Sequence, residues 1–159
     1  MINRLDILAA PEPDGATSGV WPTTLRRLDS GEFSVGGVPV GELVAEFGTP
    51  LYVLDEAEFA RRARVWKAAM GEAFADLAET DVYYAGKAFL CVAVARTAAV
   101  EGLGVDTCTE GELATALAAG VPGSRIGLHG NNKSRAEISL ALDHDFSHRF
   151  ADPARNGHD

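Results

Sequence analysis

Short β-prone runs alternate with longer stripes of apolar residues at helical spacing through the second half of the chain. Val82 to Ala85, Gly104 to Thr107 and Arg125 to His129 read as strands, and each is followed by a helical pattern. Phe89 to Val100 forms a largely apolar helix. Thr109 with Glu112 opens the next as a capping box, with Leu113 and Leu117 on its buried face. Ser134 with Glu137 opens a third, turning Ile138, Ala141 and Leu142 inward. The strands start near Val82, Gly104 and Ile126, so the spacings are 104 − 82 = 22 and 126 − 104 = 22. Equal β-then-α units predict parallel strands joined by right-handed crossovers, in an α/β doubly wound sheet or a β/α barrel.

Upstream the pattern is weaker. Residues 1 to about 32 are rich in Pro, Gly, Ser and Thr and read as an irregular arm. Phe33 to Val40 makes short extended pieces around Gly36-Gly37, and Gly41 to Phe47 a short helix stopped by Gly48 and Pro50. Leu51 to Leu54 is a compact β-prone run. Asp55 and Glu58 then give a capping-box-like start to a helix whose buried stripe is Phe59, Ala63, Trp66, Met70 and Phe74. After Asp143 the pattern stops. On the 22-residue spacing a fourth strand is due near position 148, yet His144 to Asp159 is polar and shows no strand-like run. The expected divisions are 1–50, arm and short segments; 51–142, about three β/α units; and 143–159, a polar tail.

The net charge of −9 makes nucleic acid and anionic membrane poor partners. No run of apolar residues reaches membrane-spanning or signal-peptide length, so a cytoplasmic protein is expected. Cys91 and Cys108 stand in unrelated contexts, which offers no disulfide framework and no metal-ligand spacing.

Candidate chemistry follows from topology. Active-site groups of a β/α barrel stand at the C-terminal ends of its strands. Lys87 follows the first strand, Asp106 lies in the second and His129 ends the third. Lys87 lies in an apolar stretch, Tyr84-Ala85-Gly86 before it and Ala88-Phe89-Leu90 after it. Burial there would remove the charge from the amine and suit it to imine formation with an aldehyde. By spacing alone the ordinary readings prevail: Lys87 as a solvated loop lysine, Asp106 as a satisfied strand-end carboxylate and His129 as a hydrogen-bonded loop residue.

Four ordered motifs add a resemblance. YAGKAFL (84–90) resembles the cofactor-lysine motif of the group III pyridoxal-phosphate (PLP) decarboxylases, of the alanine-racemase-like barrel class. VDTCTEGEL (105–113) resembles the family's next segment. HGNNKS (129–134) resembles its third and marks the diaminopimelate decarboxylase branch, while GTPLYV (48–53) matches the leading strand. The similarity runs from about Trp21 to about Leu142 and implies a partial PLP-binding, TIM-type barrel, while the polar tail, 143–159, does not resemble the family's continuation.

It also implies that Lys87 holds PLP and later helps to release product, with Asp106 and His129 lining the cofactor pocket. The implied reaction is decarboxylation of meso-diaminopimelate to lysine by a carboxy-lyase, a family homodimer with an amino-acid substrate and no metal. Asn131 is expected to have a structural role in its loop, and Lys133 to start a helix in solvent.

A whole barrel takes about 250 residues, and the family's later histidine, Gly-rich phosphate loop and acidic partner for the pyridine nitrogen find no counterpart here. A truncated, poorly stable and essentially inactive form is therefore expected, with turnover of meso-diaminopimelate at a normal enzyme rate as the contrary result. Two alternatives stand beside it, a non-catalytic PLP-binding fragment and another group III decarboxylase of ornithine or arginine type. A flavodoxin-like domain fits the spacing but lacks a Gly-rich loop after the first strand.

Overall fold

The computed structural model describes residues 21–144, 146 and 148–150. Contacts divide the chain into two compact units, 1–59 and 60–159.

In the first unit, β1 (Arg26–Arg27), β2 (Phe33–Val35) and β3 (Val38–Pro39) form an antiparallel sheet in the order β1-β2-β3. Gly36 and Gly37, at φ 58° and 85°, make the two-residue turn between β2 and β3. A tight hairpin of this kind needs positive φ at both positions, which glycine adopts without steric cost. Part of the expected irregular arm is thus a strand: Arg26 and Arg27 pair with Ser34 and Phe33, and the Arg27 guanidinium lies 4.8 Å from the Phe33 ring centre. Helix α1 (Val40–Phe47) ends at Gly48, whose N–H donates to the Val44 carbonyl. Residues 1–20 of the expected arm lie outside the described residues.

Asp55 caps helix α2 (Glu56–Ala73), its Oδ1 accepting from the Glu58 N–H at 3.0 Å. Glu58 does not complete a capping box with Asp55. Its buried carboxylate accepts instead from the Thr23 backbone N–H and hydroxyl, at 3.2 and 2.6 Å. A capping motif in sequence specifies only the local half of such a bond, and a nearby donor took the other half.

Two further expectations are corrected. Leu51 to Leu54 form no strand: they pair with no described strand and lie exposed, Tyr52 completely so. A β-prone run becomes a strand only when a neighbour takes its backbone hydrogen bonds, and neither described sheet includes this run. The α2 stripe is likewise mostly uncovered. Ala63 is buried and Phe59 and Met70 half-buried, but Trp66 is 64% exposed and Phe74 41%. Helical spacing marks an apolar face without supplying what covers it.

The second unit carries a parallel sheet in the order β4-β5-β6-β7. Its elements are β4 (Tyr83–Ala85), a 3₁₀ turn (Gly86–Ala88), α3 (Val92–Val100), β5 (Gly104–Thr107), α4 (Glu110–Ala118), a second 3₁₀ turn (Gly123–Arg125), β6 (Ile126–His129), α5 (Arg135–Asp143) and β7 (His148–Phe150). β7 corrects the silence of the sequence at that point. It starts 22 residues after Ile126, in parallel register with β6 through Gly127↔His148 and His129↔Phe150. The helix expected from Phe89 begins at Val92, because the 3₁₀ turn and an extended Cys91 precede it.

Side chains alternate across each strand. Val105, Thr107, Ile126 and Leu128 face the helices and are buried against Val94, Ala95 and Ala98 of α3 and Leu113 and Ala116 of α4. The Thr107 hydroxyl donates to the Gly127 carbonyl at 2.8 Å, so the one polar side chain in this layer is satisfied. Leu113 is fully buried as the spacing requires, while Leu117 is half-buried. On α5 only Ala141 is buried. Ile138 and Leu142 are 37% and 49% exposed, against expectation.

Candidate active site

The register Tyr83↔Gly104, Ala85↔Asp106 and Asp106↔Gly127 sets a second face opposite the helices. Tyr83, Ala85, Gly104, Asp106, Gly127 and His129 share it by the two-residue alternation. The two glycines make room there. A Cβ on Gly104 would overlap the Tyr83 ring and come within 2.9 Å of the Arg125 carbonyl, and one on Gly127 would lie 3.3 Å from Asp106 Oδ1.

Asp106 and His129 are brought together. Asp106 Oδ2 lies 3.5 Å from His129 Nδ1, an ion pair whenever the imidazole is protonated, with the carboxylate 23% exposed and the imidazole 52%. The second carboxylate oxygen, Oδ1, is buried and has no hydrogen-bond partner among the described residues. A buried acceptor left unpaired costs roughly 1–3 kcal/mol, so a donor is favoured there.

Lys87 lies in the 3₁₀ turn that leaves β4, at the same C-terminal edge of the sheet. The preceding residue fixes its approach. A Cβ on Gly86 would come within 2.7 Å of the Asp106 carbonyl oxygen, so only glycine lets this turn press against β5. The Lys87 side chain is exposed and makes no hydrogen bond or ion pair among the described residues. The expectation of a buried amine is corrected: its apolar neighbours in sequence, Ala85, Ala88 and Phe89, are themselves exposed.

The same turn is tied down behind. Tyr84 Oη donates to the Phe89 carbonyl at 2.6 Å, closing the segment that carries Lys87. Burial pushes the Tyr84 hydroxyl above the ordinary tyrosine range, and the hydrogen bond to Phe89 opposes that in part. The native state therefore favours the neutral phenol, and its contribution is complete below the unfolded value of about 10 and is lost as pH rises through the native value. Above pH ~10, protection of the Phe89 and Leu90 amides relative to their intrinsic exchange rates should fall, and Tyr84→Phe should show that loss of protection at neutral pH. Protection unchanged by both would contradict a tether at Tyr84.

The loops after β5 and β6 are also joined. The Cys108 N–H donates to Glu112 Oε2 at 2.5 Å, and the Cys108 carbonyl accepts from Lys133 Nζ at 2.5 Å. Lys133 is half-buried, not the solvated residue expected from its place before a helix. Its amine lies against Gly130, where a Cβ would be 3.0 Å away and where φ is +112°. Ser134 and Glu137 do form the expected capping box of α5. Thr109 caps α4 through the Glu112 N–H, but the Glu112 carboxylate serves Cys108, one residue earlier. Asn131 is exposed. The third lysine, Lys67 of α2, lies against Gly102, just before β5 at the far edge of the sheet.

A sequence model described as "Pyridoxal-dependent decarboxylase, pyridoxal binding domain" matches residues 56–155. The chain belongs to this family. The pyridoxal-dependent decarboxylase match continues past residue 142 and includes β7. The chain is 45% identical over 133 residues to a diaminopimelate decarboxylase of Mycobacterium bovis, covering 84% of this chain and 28% of that protein. It thus spans just over a quarter of that relative's length. Among solved structures, diaminopimelate decarboxylase from M. jannaschii in complex with L-lysine superposes with a TM-score of 0.70 at 29% identity, covering 79% of this chain and 29% of that one. Lysine/ornithine decarboxylase of Vibrio vulnificus, complexed with putrescine, follows at a TM-score of 0.53 and 30% identity, covering 66% and 27%. The parallel sheet is therefore part of the decarboxylase barrel, and the family's cofactor is pyridoxal phosphate.

The described face fits such a group. It carries a glycine-lined floor and a buried carboxylate oxygen without a donor among the described residues, and the turn that bears Lys87 leaves the sheet at the same C-terminal edge. Sequence reasoning missed the supports, Gly86, Tyr84 and Lys133. Only the glycine, inside a motif and before a lysine, carried any signal. Among the described residues no helix is long and apolar enough to cross a membrane, and no group of three or more His, Cys, Asp and Glu side chains is placed to hold a metal ion.

Proposed function

We propose that Lys87 is the residue that bonds to the aldehyde of pyridoxal 5'-phosphate, with Asp106 and His129 lining the cofactor's pocket. The enzyme so formed is a carboxy-lyase that converts meso-diaminopimelate to lysine. The observation that carries this is the placement of the three lysines. Lys133 donates to a carbonyl and Lys67 lies at the opposite edge of the sheet, which leaves Lys87, in the turn that Gly86 sets against the Asp106 carbonyl, as the lysine at the C-terminal edge without a partner among the described residues.

Bound pyridoxal phosphate supplies an electron sink for the charge left when CO₂ departs. The protein's part is positional. Gly86 holds the turn against β5, so that Lys87 leaves the sheet at its C-terminal edge. Asp106 Oδ2 orients the imidazole through Nδ1, and Oδ1 offers an acceptor to a donor on the bound group. The diaminopimelate decarboxylase relatives, and the L-lysine in the M. jannaschii complex, support the substrate assignment. A cytoplasmic homodimer is the corresponding setting. Both cysteines are free thiols, as a reducing compartment favours.

Grafting residues 56–155 over the matching segment of the M. bovis enzyme tests the reading. The chimera should release CO₂ from meso-diaminopimelate, and the same chimera with Lys87→Ala should not. Release unaffected by that substitution would overturn the assignment.

A further inference from the structure

We propose that Lys133 is a positioning residue of the pyridoxal site, a cationic tether that holds the β5 and β6 loops together so that Asp106 meets His129. The inference rests on the proposed function for its cofactor, but the tether itself is visible in the protein alone.

Three observations carry it. Lys133 Nζ donates to the Cys108 carbonyl, twenty-five residues away in sequence and two beyond Asp106. The amine reaches that carbonyl by lying against Gly130, next to His129, in a backbone conformation that strongly favours glycine. The Cys108 backbone is then held on both sides of its Cα, its N–H by Glu112 and its carbonyl by Lys133.

These contacts define a closed circuit. Asp106 and Cys108 belong to one strand end, His129 and Gly130 to the next, and the Lys133 side chain closes the gap above them. A hydrogen bond from a charged donor is stronger than a neutral one, and here it spans the two elements whose side chains meet at 3.5 Å. Between the exposed Asn132 and Ser134 the lysine stem could have extended into water, but its amine turns back to the Cys108 carbonyl. With its amine so engaged, Lys133 acts through Asp106 and His129 and takes no direct part in bonding to the aldehyde.

The test compares the 159-residue chain with Lys133→Met and Lys133→Arg, since methionine keeps an apolar stem without donors and arginine restores a cation. In the cofactor-free protein, the His129 imidazole ¹⁵N resonances should move in Lys133→Met and return toward the native positions in Lys133→Arg. Thermal melting should change little. PLP affinity, measured by absorbance titration, should fall about 10-fold in Lys133→Met, the size of one charge-assisted hydrogen bond, and recover in Lys133→Arg. Native His129 resonances in Lys133→Met would overturn the tether. So would a loss of melting temperature large enough to account for the lost affinity. If the resonances move but the native chain fixes no PLP at Lys87, the tether stands and the pyridoxal reading falls.

Discussion

Alanine at position 87 should abolish the long-wavelength absorbance that the chain acquires with pyridoxal phosphate. The expectation follows from the count of amines at the site. Three lysines exist, and two are unsuited: Lys133 is engaged by the Cys108 carbonyl and Lys67 lies at the N-terminal edge of β5. Among the described residues, removal of the Lys87 amine leaves only the amine of Lys133 at the C-terminal edge, and that one is engaged by a carbonyl. Lys67→Ala is the matched control and should keep the band. Because Lys87 is exposed and without partners among the described residues, the substitution should leave urea unfolding unchanged within about 0.5 kcal/mol. A band that survives Lys87→Ala, or vanishes equally in Lys67→Ala, would contradict the assignment.

The second large effect is on stability. Leu113 is completely buried at the centre of α4, against the strands that carry Asp106 and His129. Leucine-to-alanine changes at such sites cost about 2–5 kcal/mol, through lost transfer free energy and the cavity left behind. Whole domains have only about 5–15 kcal/mol, so Leu113→Ala should move the urea midpoint far down with little change in slope. Leu117→Ala, one turn later and half-buried, should cost much less. Similar midpoints for the two variants would show that α4 does not pack as described.

The difference between those leucines shows what the sequence could convey. A 22-residue β/α period and an apolar face on α4 were legible because both are local patterns repeated along the chain. The Ser134–Glu137 capping box was legible for the same reason. What failed was whatever depended on a partner far away. Leu51 to Leu54 have strand composition but no described strand beside them, whereas His148–Phe150 lack that composition and pair with β6. Trp66 belongs to a helical stripe and is 64% exposed because periodicity does not say what covers a face.

The site shows the same division. Lys87, Asp106 and His129 were legible as strand-end polar residues, and the structure sets Asp106 against His129 and the Lys87 turn against β5. Burial of Lys87 was inferred from neighbours in sequence, and neighbours in sequence do not bury a side chain. Lys133 was misplaced for a related reason. Its carbonyl partner is twenty-five residues away, and a flexible four-carbon stem leaves no periodic trace of where its amine ends.

The central claim is that one amine of this chain takes up the cofactor. Borohydride reduction of the PLP-treated protein, followed by proteolysis and peptide mass analysis, measures it directly. The account predicts a single pyridoxyl group on the peptide that contains Lys87. Pyridoxyl groups scattered over Lys67, Lys133 and the N-terminal amine, with no preference for Lys87, would contradict it.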